Sequence, residues 1–163
     1  SPCTEEVAVF KQFSRLVNQA RRTFVVMDTA PTGHTLLLMD AAGSYHREIA
    51  RNMPDGAHYA TPMMRLQDPD YTRILLVTLP ETTPVLEAGI LEDDLKRAGI
   101  HPWAWVINQS LAAATTTSPL LRHRATQESG PVDSVRERAS RLAIVPLLHE
   151  EPIGPERLAL LAS

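Results

Sequence analysis

Hydrophobic and polar positions along this chain follow two periods in turn. From Thr4 to Ala20, Val9, Phe13, Leu16, Val17 and Ala20 recur at helical spacing with charges between them, which predicts an amphipathic helix. Thr4 suits its N-cap, and Glu5 and Glu6 suit the positive first turn. The run Thr23-Phe-Val-Val-Met-Asp28 is apolar and β-branched, and predicts a strand that stops on a carboxylate. A turn with Pro31 and Gly33 follows, and then a helical pattern from Gly33 to about Ala50. Further strands are predicted over Thr72–Leu79, Ile100–Gln109 and Leu142–Leu148, the first of them a near-continuous apolar run of the kind a buried parallel strand needs. Between them lie a short helix near Thr61–Asp68 with Pro62 early in it and a helix from Pro84 to Ala98 stopped by Gly99. Shorter helices are expected between Ala112 and Arg141, and a last one from about Pro155. Glu92, Asp93 and Asp94 read as a solvated helix face.

Strands alternating with helices imply right-handed parallel crossovers. The expectation is an α/β fold: a mostly parallel sheet of at least four strands flanked by helices, with residues 1–163 as a single, partial domain. A chain of 163 residues can bury a core. Its 44% hydrophobic and 21% charged residues place it among ordinary globular sequences. A net charge of −3 offers no electrostatic case for nucleic acid or an anionic membrane surface. No apolar run approaches the length of a membrane span. One cysteine excludes an internal disulfide and fits a reducing compartment.

Candidate chemistry collects at the ends of predicted elements. Asp28 falls at the carboxyl end of a strand, where ligands of open α/β sheets sit. An apolar strand ending in Asp is also how a carboxylate is presented to a phosphate-bound Mg²⁺. Cys3 lies just ahead of a predicted helix N-terminus, where the dipole favours the thiolate, a ligand for soft ions; the alternative is a small buried apolar residue. His34 opens a predicted helix, which keeps imidazole neutral and able to coordinate; the alternative is a hydrogen-bonded cap-region histidine. Asn108 ends a strand with a paired donor and acceptor that suit a purine edge, or it is a turn asparagine. A phosphate-binding loop requires Gly-Lys-Ser/Thr at a helix start. The only lysines are Lys11 and Lys96, and neither follows a glycine.

The string Asp28-Thr29-Ala30-Pro31-Thr32-Gly33-His34-Thr35 resembles the signature of the arsenical pump-driving ATPases, the ArsA family of P-loop ATPases, related to those that target tail-anchored membrane proteins. Cys3-Thr4-Glu5-Glu6 is similar to another segment of that family. The resemblance implies that Cys3 and His34 are ligands for As(III) or Sb(III), with Ser1 a weaker contact. It implies that each metalloid ion bridges this half of the protein to a homologous N-terminal half. Asp28 would hold the Mg²⁺ water shell, and the Thr32-Gly33 turn would couple nucleotide state to ligand state. Asn108 would recognise adenine, with Pro146 and Leu147 bordering the same pocket. Only Met53, Met63 and Met64 stand where the tail-anchor relatives carry a long Met-rich insertion, and no Cys-x-x-Cys zinc pair is present.

Together these imply the C-terminal part of a cytoplasmic ATPase, peripheral to the inner membrane through an arsenite efflux pump. That ATPase would use ATP and Mg²⁺ and be activated by As(III) or Sb(III). The start at Ser1-Pro2-Cys3 reads as the interior of a SIMIBI-like nucleotide-binding domain whose P-loop lies upstream, so this segment should not hydrolyse ATP alone. Two alternatives stay open: a tail-anchored protein targeting ATPase, and a non-catalytic α/β interaction module.

Overall fold

Helical spacing of Phe13 and Val17 buries both on one side of the first helix, at 7% and 3% exposure. This computed structural model describes residues 2–20, 22–28, 43, 44, 48, 51 and 60–159, residues 2–10 by their backbone alone. The chain forms two compact units, Ser1–Arg73 with Leu91–His101, and Ile74–Ile90 with Pro102–Ser163.

In the first unit, α1 spans Pro2–Gln19. It starts two residues earlier than the spacing predicts, because Pro2 suits a first helical turn whose N–H groups are unpaired anyway. Cys3 and Thr4 therefore lie within the first turn, not ahead of it, and Thr4 is not the cap. α2 spans Pro62–Gln67, with the Thr61 hydroxyl accepting from Met64 N–H at 3.2 Å. Arg65 is buried, and its guanidinium donates to Val17 O at 3.3 Å and to the Tyr71 hydroxyl at 2.9 Å. Tyr71 in turn donates to Val17 O at 2.6 Å. A cation thus sits on a carbonyl of the last turn of α1, where the helix dipole favours it.

The helix α3, Thr82–Arg97, ends in this unit. Gly99 stands at φ 74°. Its N–H bonds Lys96 O at 3.0 Å, and Ile100 N–H bonds Leu95 O at 2.9 Å, the paired closure that a left-handed glycine allows. Leu95 and Ile100 are buried beside it. Glu92 departs from the expected solvated face: it is 3% exposed and pairs with Lys96 at 3.1 Å. Its i,i+4 position turns it inward from Asp93, which is exposed.

The second unit holds a three-stranded parallel sheet in the order β1-β2-β3. The strands are β1, Leu75–Thr78, β2, Ala104–Ser110, and β3, Leu142–Pro146. β2 and β3 are joined through α4, Pro119–Thr126, and α5, Ser129–Arg138; α6, Pro155–Ala159, follows β3. A monotonic strand order with right-handed crossovers places the connecting helices on one face. The burial follows. Leu76, Thr78, Trp105 and Ile107 share that face and are at most 5% exposed, and Val85, Val132 and Val135 are buried in the helices. On the opposite stripe of β1, Leu75 and Val77 are 50% and 60% exposed.

Three of the four predicted strands are therefore in the sheet. The fourth, Thr23–Asp28, is not a strand among the described residues: residues 24–28 pair with no described strand, and Phe24 and Val26 are 95% and 78% exposed. Apolar, β-branched composition favours a pleated surface, but a strand exists only when a neighbour accepts its backbone bonds. The helix expected over residues 33–50 lies mostly outside the described residues; residues 43, 44 and 48 are helical.

Candidate functional site

Parallel strands point their carboxyl ends the same way, so the residues that follow β1, β2 and β3 converge. The register pairs Ser110 with Pro146 beyond an irregularity between Ile107 and Ser110. That irregularity is built around Gln109, whose φ of 59° is left-handed. Such a backbone is uncommon in any residue but glycine, and costly. Asn108, half-buried, turns its Oδ1 onto Gln109 N–H at 3.0 Å, the local bond by which an asparagine supports a tight bend.

Ser110 is fully buried and joins both strand exits. Its carbonyl accepts from Leu147 N–H at 2.8 Å. Its hydroxyl donates to Glu128 Oε2 at 2.7 Å and accepts from Ala113 N–H at 3.1 Å. Glu128, 6% exposed, also accepts from Leu111 N–H at 2.8 Å and from Ala112 N–H at 3.0 Å. A buried carboxylate is tolerated only when hydrogen-bonded in this way.

Beside this network lies a cleft of about 460 Å³. Leu79, Leu111 and Leu147 supply apolar walls, and Gln109, Gln127, Arg124, Glu81 and Glu128 itself supply polar and charged groups. A second groove of about 620 Å³ runs along β3, with Pro146 on its wall and the Glu150–Arg157 ion pair, 2.8 Å, over its rim residues. The structure thus brings Asn108, Pro146 and Leu147 to one neighbourhood around Ser110. Within it, Gln109 and Leu147 line the carboxyl-end cleft; Asn108 does not, and Pro146 faces the other groove. Asp28 is exposed in the first unit. Cys3 is in the first turn of α1, and Ser1 and His34 lie outside the described residues.

The family model described as anion-transporting ATPase matches residues 1–66 and 41–163. The chain belongs to the anion-transporting ATPase family. It is 64% identical over 163 residues to an arsenical pump-driving ATPase of Escherichia coli, covering 99% of this chain and 28% of that protein. It is 62% identical to an arsenical pump-driving ATPase of Acidiphilium multivorum, covering 100% and 28% respectively. It is 31% identical to a Halobacterium salinarum protein named as a putative arsenical pump-driving ATPase, covering 97% and 26%. The chain therefore spans only 26–28% of the length of these three relatives.

For a member of an ATPase family, the question is which nucleotide and metal contacts these residues fit. The cleft offers leucine walls beside the amide donors and acceptors of Gln109 and Gln127, groups that can hydrogen-bond the edge of a planar base. Mg²⁺ at nucleotide sites takes one or two carboxylates and completes its shell with phosphate and water. Asp28 is exposed, on a segment that is not a strand among the described residues. Among the described residues, no group of three or more His, Cys, Asp and Glu could hold a metal ion. No helix among them is long and apolar enough to cross a membrane.

Sequence reasoning missed Ser110, Glu128 and the cleft position of Gln109. Glu128 lies in a polar stretch between two short helices, where a glutamate is ordinarily exposed. Its partners are 16 to 18 residues away along the chain, so no local spacing announces them.

Proposed function

We propose that this chain is part of an ATPase that energises the export of arsenite or antimonite. The observation that carries the reading is the 64% identity, over nearly the whole chain, to a protein named arsenical pump-driving ATPase. In this reading Cys3 and His34 bind As(III) or Sb(III), with Ser1 as a weaker contact, across to a homologous N-terminal half. Asp28 orders the Mg²⁺ water shell. Of the three residues read as the adenine side, Leu147 lines the carboxyl-end cleft, while Asn108 and Pro146 adjoin it through the strand exits at Ser110. The ATPase works against a membrane arsenite efflux pump, at the cytoplasmic side of the inner membrane.

Two chemistries at opposite ends of one short segment suit coupling. Only six residues separate Asp28 from His34, so one backbone rearrangement there can answer to both metal–nucleotide and metalloid state. The test is made in the full-length ATPase. Cys3→Ala and His34→Ala should each abolish Sb(III) binding by titration and bring the stimulated rate down to the unstimulated one. Retained Sb(III) stimulation in both variants would remove the metalloid assignment.

A further inference from the structure

We propose that Glu128 is a positioning residue for the base-binding cleft, acting through the backbone that leaves β2. The inference rests on the reading of that cleft as the adenine side of a nucleotide site.

Three bonds converge on this one buried carboxylate, from Ser110 Oγ and from the N–H groups of Leu111 and Ala112. Consecutive backbone N–H groups turned toward one anion form a concave nest, an anion-binding geometry. Here the anion is supplied by the chain itself. The nest begins two residues after Gln109, which stands in a left-handed conformation. A left-handed non-glycine residue persists only where its surroundings over-determine it. The fixed positions of Ser110, Leu111 and Ala112 on Glu128 are those surroundings. Ser110 also holds Leu147 through its carbonyl. One carboxylate thereby sets two walls of the cleft, Gln109 on the β2 side and Leu147 on the β3 side.

The chemistry makes a specific demand on substitutions. Glu128→Ala leaves the buried Leu111 N–H, the part-buried Ala112 N–H and a buried hydroxyl without their acceptor. In Glu128→Gln, the single amide oxygen can take the place of Oε2 and serve Ala112 N–H and the Ser110 hydroxyl, but the amide nitrogen then faces Leu111 N–H, donor against donor. Glu128→Gln should therefore lie between the wild type and Glu128→Ala. Ser110→Ala removes the hydroxyl relay while leaving the carboxylate to the two N–H groups.

The experiment compares two probes on the full-length ATPase: Mg-ATP and Mg-tripolyphosphate, which lacks the base. Glu128→Ala should weaken Mg-ATP by about tenfold, the scale of one lost well-placed contact, and should leave Mg-tripolyphosphate within about twofold. A merely structural role would weaken both probes together. Should Glu128→Ala fail to fold, Glu128→Gln and Ser110→Ala carry the same comparison, with smaller losses confined to Mg-ATP. Equal losses on both probes, or none on either, overturn the positioning role. A wild type that binds Mg-ATP no better than Mg-tripolyphosphate overturns the base-site reading itself, and the inference with it.

Discussion

Gln109→Gly tests the reading of the β2 exit most directly. Gln109 stands at φ 59°, at the point where β2 loses its register with β3. In that conformation the Cβ of an L-residue crowds the following carbonyl oxygen, at a cost of roughly 1–2 kcal/mol. Glycine removes the clash but gives the unfolded chain more freedom, which costs about 0.4–1 kcal/mol. The side chain is exposed, so little burial is lost with it. The Gln109 N–H keeps its bond to Asn108 Oδ1. The balance is a variant more stable by roughly 0.5–1 kcal/mol. Gln109→Ala keeps the Cβ and the strain, and should stay within about 0.5 kcal/mol of the wild type. Urea unfolding followed by tryptophan fluorescence measures both, because the two tryptophans, Trp103 and Trp105, belong to the same unit as Gln109. A midpoint for Gln109→Gly at or below that of Gln109→Ala would refute the strain argument. If the glycine variant is the more stable and binds Mg-ATP less well, the glutamine is there for its side chain.

Three further substitutions probe the two units separately. Ile107→Ala removes a side chain at 0% exposure from the centre of the sheet, and should cost about 2–5 kcal/mol by the same fluorescence assay; a loss below about 1 kcal/mol would mean that the site collapses around the cavity. In the first unit, Arg65→Met should lose two charge-assisted bonds to Val17 O and Tyr71, about 2–3 kcal/mol in all. Tyr71→Phe should cost nearer 1 kcal/mol. The double variant should cost less than the sum, since both act on the same carbonyl. Far-UV circular dichroism in urea reads all three, and strict additivity would show that they do not form one network.

The elements that the sequence made legible are those decided by neighbours in the chain. Gly99 marks a helix end because a left-handed residue there closes two local bonds. Thr61 and Pro62 mark a helix start for the same kind of reason. The apolar runs of β1, β2 and β3 needed only a partner, and each found one. Thr23–Asp28 has the same composition and found none among the described residues, which composition cannot reveal. Glu92 was misjudged because three acidic residues in a row look alike in sequence, although the helix turns one of them inward.

The candidate site divides along the same line. Asn108 could be named because strand ends are where α/β sheets place their chemistry, and a strand end can be read locally; Pro146 and Leu147 could be named only through the family resemblance. What holds those three in place could not be read. Ser110 is an ordinary residue at a strand end, and Glu128 an ordinary residue between helices. They acquire meaning only when two parallel strands and the chain that connects them are brought together. The buried carboxylate then serves as the acceptor that the end of β2 lacks, and the strand exits take their places around it. If this is right, residues that contact a ligand should be easier to read from sequence than residues that position them, because the first sit at element ends and the second are chosen by tertiary geometry. The contrast between Mg-ATP and Mg-tripolyphosphate in Glu128→Ala separates those two kinds of residue within a single site.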